Sequence, residues 1–82
     1  MNTKKTAADV IKVLEKSLEL KSGSINENTR AEDLENWDSL GHLTILVALD
    51  KFFDGKISGI NEIGQADSLP KILVALKKNN LI

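Results

Sequence analysis

Apolar residues return at helical spacing in three stretches of the chain, separated by polar and turn-forming residues. In the first, Ala7, Val10, Ile11, Leu14 and Leu18 form one face, with Lys12, Glu15, Lys16 and Glu19 on the other. Thr6 stands ahead as a cap, and Asp9 three residues on completes a capping box with Asp in place of the preferred Glu. Ser22-Gly23-Ser24 supplies the expected stop. The second stretch runs from about Ser39 to Phe53, with Asp38 as its N-cap. His42, Ile45, Leu46, Leu49 and Phe53 recur by threes and fours as its buried face. Trp37 precedes the cap and is placed to pack over the first turn, although His42 is a poor apolar partner for it. Asp54-Gly55 ends this helix, with Gly55 free to adopt a left-handed cap. The third stretch opens at Ser68 and carries Pro70 in its first turn, where the missing amide hydrogen costs nothing. Leu69, Ile72, Leu73 and Leu76 supply its stripe, Ala75 allows close approach, and Lys77 and Lys78 suit the C-terminal dipole.

The connections differ in kind. From about Lys21 to Trp37 the chain reads as a long loop, and loops of that length in a small domain are functional or pinned. Ile25 and Leu34, isolated among polar residues, are the expected pins. Ile57, Ile60 and Ile63 predict a short turn of helix around Ile60–Gln65, with Gly59 and Gly64 excluding anything longer. No stretch alternates as a strand does. The expected class is therefore all-α: a small four-helix bundle of three main helices and one short one, in a single domain spanning 1–82.

The second helix is more apolar than one buried face requires. A wide stripe accounts for Leu43 and Ala48, whereas Leu40 and Val47, seven apart, share another face and are candidates for contact with a partner.

Composition then removes whole classes of function. The chain has no cysteine, so disulfides, thiolate nucleophiles and cysteine metal sites are excluded. His42 is the only histidine, and no metal site is expected. The net charge of -1 and the lack of a basic stripe argue against nucleic acid. No apolar run approaches a membrane span, and no apolar segment follows the basic start Met1-Asn2-Thr3-Lys4-Lys5, so neither membrane anchoring nor a signal peptide is expected. Together with the lack of cysteine this fits a cytoplasmic setting. Charge is locally uneven: Glu27, Glu32, Asp33, Glu35 and Asp38 face one base, Arg30, while only bases follow Lys71. The acidic run reads either as a solvated loop or as a negative surface that draws basic partners towards Ser39.

Ser39 stands where the acidic loop meets the apolar helix. A Ser39–His42 dyad would lie one turn apart, but nothing orients the imidazole and no oxyanion hole is evident, so no catalytic residue is assigned and no enzyme is expected. A plain capping role and a tether for a phosphodiester both remain, since a helix N-terminus tolerates a phosphate beside it.

The whole chain resembles an acyl carrier protein. The resemblance rests on the length, on the order helix, long loop, helix, short helix, helix, on Asp38-Ser39-Leu40 at the start of the second helix, on the run Leu43–Phe53, and on Ser68 opening the last helix. It covers roughly Ala7 to Lys78. It implies that Ser39 receives 4′-phosphopantetheine from coenzyme A, whose thiol then carries an acyl or aminoacyl group as a thioester. It implies a phosphopantetheinyl transferase, an acyl-loading ligase or acyltransferase, and a downstream synthase or transferase as partners of a monomer. Asp38, Leu40 and Val47 would meet them, and Ile45, Leu49 and Ala66 would border the cargo. The second helix keeps only Asp50 as an acid, with Gly41, Thr44 and Lys51 where such carriers commonly have acids, and Trp37 replaces a small residue. Those departures resemble specialised carriers more than the housekeeping carrier of fatty-acid synthesis. The competing reading is a non-covalent interaction module that uses the surface of the second helix, with Ser39 only a cap.

Overall fold

Each of the three long helices starts on the side chain that the sequence marks for it. In the computed structural model, which describes residues 5–82, helix α1 covers Ala7–Ser17, α2 Ser39–Phe52, α3 Asn61–Gly64 and α4 Leu69–Lys78. The basic start Met1–Lys5, read as no signal peptide, lies outside the described residues except for Lys5. Thr6 Oγ1 accepts from the Asp9 amide while Asp9 accepts from the Thr6 amide, which closes the capping box. Asp38 caps α2 and Ser68 caps α4, each accepting from the amide three residues on.

The helix ends depart from the sequence reading. Leu20, Gly55 and Leu81 each donate an amide to the carbonyl five residues back, on Glu15, Asp50 and Leu76. The residue before each donor, Glu19, Asp54 or Asn80, takes a left-handed conformation with φ of 58°, 57° or 60°. This is the Schellman closure, built here without glycine at its left-handed position. Helix α1 therefore stops before Ser22-Gly23-Ser24, because folding Leu20 back against the core outweighs another turn of helix. Ser22-Gly23-Ser24 belongs instead to a separate turn in which the Ser24 amide bonds the Lys21 carbonyl and Gly23 has φ 92°. At the end of α2 the left-handed cap is Asp54, and Gly55, at φ 83°, follows it.

Four helices and no strand occur among the described residues. Helix α1 packs on α2, α3 packs on α4, and α3 touches α2 over a smaller area. Val10 and Leu14 from α1, Ile45 and Leu49 from α2, Ile63 from α3, and Leu69, Ile72 and Leu76 from α4 are fully enclosed. The core is thus aliphatic, with Trp37 and Phe53 at its margins. The short helix is one turn, as expected, with Ile57 and Ile63 buried and Ile60 half-buried.

The loop from Leu18 to Asp38 is pinned along its length. Ile25 is buried and Leu34 packs on the core, with a 3₁₀ turn at Ala31–Asp33 between them. Arg30 pairs with Ser68 in an antiparallel bridge: the Ala31 amide bonds the Asp67 carbonyl and the Leu69 amide bonds the Thr29 carbonyl, both at 2.8 Å. Glu15 corrects the expected polar face of α1. It is buried, and its Oε2 accepts from the amides of Gly23 at 2.9 Å and Ile25 at 3.0 Å. The loop doubles back over α1, and the carboxylate satisfies amides that would otherwise be lost from water. No helix among the described residues is long and apolar enough to cross a membrane.

Candidate functional site

Ser39 is the first residue of α2, and its side chain is exposed. It is not the cap. That role belongs to Asp38, whose Oδ1 accepts from the Gly41 amide at 2.8 Å. No hydrogen bond engages Ser39 Oγ among the described residues, so the hydroxyl is free while its backbone is fixed. The first-turn amides of Ser39 and Leu40, which have no intrahelical acceptors, lie at the positive end of the helix dipole.

Three contacts hold this junction. The Asn36 side-chain amide donates to the Leu18 carbonyl at 3.0 Å and so ties the loop to the end of α1. The Asn36 carbonyl then lies against Gly41 so closely that any Cβ there would overlap it, and would also crowd Leu18 Cδ2 at 3.2 Å. Gly41 is therefore fixed by close approach, which leaves no room for a side chain at this position. Trp37, buried beneath the cap, donates its indole N–H to His42 Nδ1 at 3.0 Å, with the rings nearly parallel. His42 Nε2 meets the Ile63 carbonyl at 3.0 Å. Because Nδ1 accepts, Nε2 carries the hydrogen and donates to Ile63. The pair expected to staple poorly is thus joined by a polar contact, and the imidazole is used on both nitrogens. It bonds α2 to α3 instead of facing Ser39.

An open groove of about 530 Å³ runs beside Ser39, with walls from Trp37, His42, Leu43, Leu46, Gly64 and Ala66. Asp67 stands at its edge, and its carboxyl is held below the usual carboxylate range, first by a hydrogen bond from Lys71 and then by that lysine's charge. Ile45 and Leu49 do not reach the groove. Both are fully enclosed, and Leu46 takes the lining position expected of them, while Ala66 does line it.

The outer surface of α2 differs from expectation at one residue. Leu40 and Val47 are exposed, at 74% and 56%, but so is Leu43 at 58%. Across the groove that Leu43 lines, the end of the one-turn α3 presents Gly64 and its cap Gln65, and Leu43 stays exposed. Leu40, Leu43 and Val47 form one apolar strip that starts next to Ser39.

The acids of the loop divide by use. Asp33 accepts from the Arg30 amide at 3.0 Å, Glu32 pairs with Arg30, and Asp38 caps α2, while Glu27 and Glu35 are exposed. No cluster of three or more His, Asp or Glu side chains that could hold a metal occurs among the described residues. Sequence reasoning missed Glu15, Gly41 and the two bonds of His42, because each depends on where the loop or α3 lies. Comparison with protein families, with curated proteins and with solved structures gives no match.

Proposed function

We propose that this chain is a carrier that binds 4′-phosphopantetheine covalently through Ser39 and presents the attached acyl group to biosynthetic enzymes. The observation that supports this most is the Ser39 hydroxyl: exposed, free of hydrogen bonds, and held on a rigid helix start by a neighbour that takes over the capping role. A serine that served as the cap would have its oxygen committed to the backbone. The residues present fit the group, with free amides at the positive helix end for the phosphate and a groove beside them for the arm. The arm itself supplies a terminal thiol that holds an acyl or aminoacyl group as a thioester.

The protein's own part is positioning. Asp38, Gly41 and the Trp37–His42 pair fix the tether point, and Leu46, Gly64 and Ala66 wall the groove. The arrangement is read as a carrier-type four-helix bundle, a monomer that works in the cytoplasm without catalysing a reaction itself. Its partners are a phosphopantetheinyl transferase, a loading ligase or acyltransferase, and a downstream synthase or transferase. Asp38, Leu40, Leu43 and Val47 form the docking surface around the tether. With Asp50 the only acid in α2, a specialised cargo fits better than a housekeeping fatty acyl chain.

The exposed strip of α2 also suits a non-covalent interaction module, which is the second reading. The two part at Ser39. A fluorescent coenzyme A analogue and a promiscuous phosphopantetheinyl transferase are expected to label the protein and leave Ser39→Ala unlabelled. No label, or equal label on both, rejects the carrier.

A further inference from the structure

Asp50 sits in the last turn of α2, where the helix dipole disfavours a negative charge. Its Oδ1 is shut off from solvent and has no hydrogen-bond partner, the one such side-chain atom found among the described residues. Buried polar groups are bonded as a rule, and one left alone costs stability. Two features of the position thus work against the fold, which makes a task outside the fold the reason to look further.

The surroundings indicate the task. Ser39, Leu43, Leu46 and Asp50 are spaced by four, three and four, so they fall on one line along α2. Asp50 lines a second groove, of about 690 Å³, with Leu46, Ile57, Ile60, Asn61 and Gln65. Leu46, Gly64 and Gln65 belong both to this groove and to the one beside Ser39. The two are therefore successive parts of one channel between α2 and α3, running about 16 Å along the helix from the tether to the carboxylate. Its exposed wall surface is mostly apolar, from Leu43, Leu46, Val47, Ile57 and Ile60, with Asp50, Lys51, Ser58 and Asn61 at the far end.

We propose that Asp50 selects the cargo: an acyl group that bears a hydrogen-bond donor, an ammonium or a hydroxyl, is held in this channel with the donor on the Asp50 carboxylate. This rests on the carrier reading of Ser39 and goes further by naming the chemical class carried. The match is one of complementarity. An aliphatic body covers Leu46, Ile57 and Ile60, and the donor supplies the bond that the protein leaves unmade. Rotation about the soft terminal torsion of Asp turns either oxygen towards the channel. Lys51 also stands at the rim, but no hydrogen bond or ion pair joins it to Asp50, so the carboxylate is left to a donor on the cargo. A plain alkyl chain would cover the partly buried carboxylate without bonding it, so the site discriminates against it.

The test uses the protein loaded at Ser39 with matched aminoacyl, hydroxyacyl and plain acyl groups of equal length, in wild type and Asp50→Leu. Thermal midpoints and the amide NMR shifts of Asp50, Ser58, Asn61 and Gln65 are recorded. A donor-bearing cargo is expected to raise the wild-type midpoint by about 4 °C more than the plain chain, and to move those shifts. In Asp50→Leu that difference is expected to vanish. Equal midpoints and shifts for all three cargos in wild type would overturn the proposal. The unloaded protein gives a reading independent of the tether: Asp50→Leu is expected to melt higher than wild type. A lower midpoint would mean that Asp50 serves the fold and would overturn the proposal as well. Failure to load, seen in the mass beforehand, counts against the carrier reading instead.

Discussion

At the scale of single residues, the junction before α2 depends on contacts that tolerate little change. Gly41 lies against the Asn36 carbonyl with no room for a side chain. Gly41→Ala is expected to lower stability by about 1–3 kcal/mol in urea unfolding, despite the better helix propensity of alanine. A neutral or stabilising result would mean that Asn36 is free to move away. His42→Ala strips the acceptor from the Trp37 indole and the donor from the Ile63 carbonyl, and should cost about 1–3 kcal/mol. Tryptophan fluorescence should shift with it as the indole environment changes. Of this chemistry the sequence showed only what is local. Asp38, Ser68 and the Thr6–Asp9 box were legible because a cap acts within three residues. The identity of Gly41 was not, because the carbonyl that forbids a side chain comes from the path of the loop.

At the scale of elements, the long loop behaves as a pinned strap. One carboxylate, Glu15, serves two loop amides, and the Arg30–Ser68 bridge fastens the other end to α4. Glu15→Ala is expected to cost about 1–3 kcal/mol and to raise hydrogen exchange at Gly23 and Ile25 well above that of the helical core. Unchanged exchange at those two amides would contradict this role. Helical periodicity located α1, α2 and α4 to within a few residues, since each buries a stripe of its own. It could not assign Glu15, whose partners are eight and ten residues away, nor the end of α1, where a left-handed Glu19 does what a glycine was expected to do. Leu43 was misplaced for a similar reason. Its exposure depends on how little α3 covers, and a four-residue helix leaves that side of α2 open.

For the whole molecule, the same helix that begins at Ser39, the proposed tether, also presents the apolar strip Leu40, Leu43 and Val47. Docking by such a strip, with Asp50 the only acid in α2, should depend weakly on ionic strength. Leu40→Ser with Val47→Ser is expected to weaken binding to the cognate transferase about tenfold or more while leaving the thermal midpoint within a few degrees of wild type. A steep loss of binding with salt in the wild type would instead assign recognition to Glu27, Glu32 and Glu35 of the loop. The central claim remains the covalent tether at Ser39. Its most direct measurement is the intact mass of the protein purified from cells that co-express a phosphopantetheinyl transferase, followed by fragmentation to locate the added group. One phosphopantetheine on Ser39, and none on Ser39→Ala with its stability unchanged to within about 0.5 kcal/mol, is the predicted result. An unmodified wild-type protein, or the group found on another residue, would contradict it.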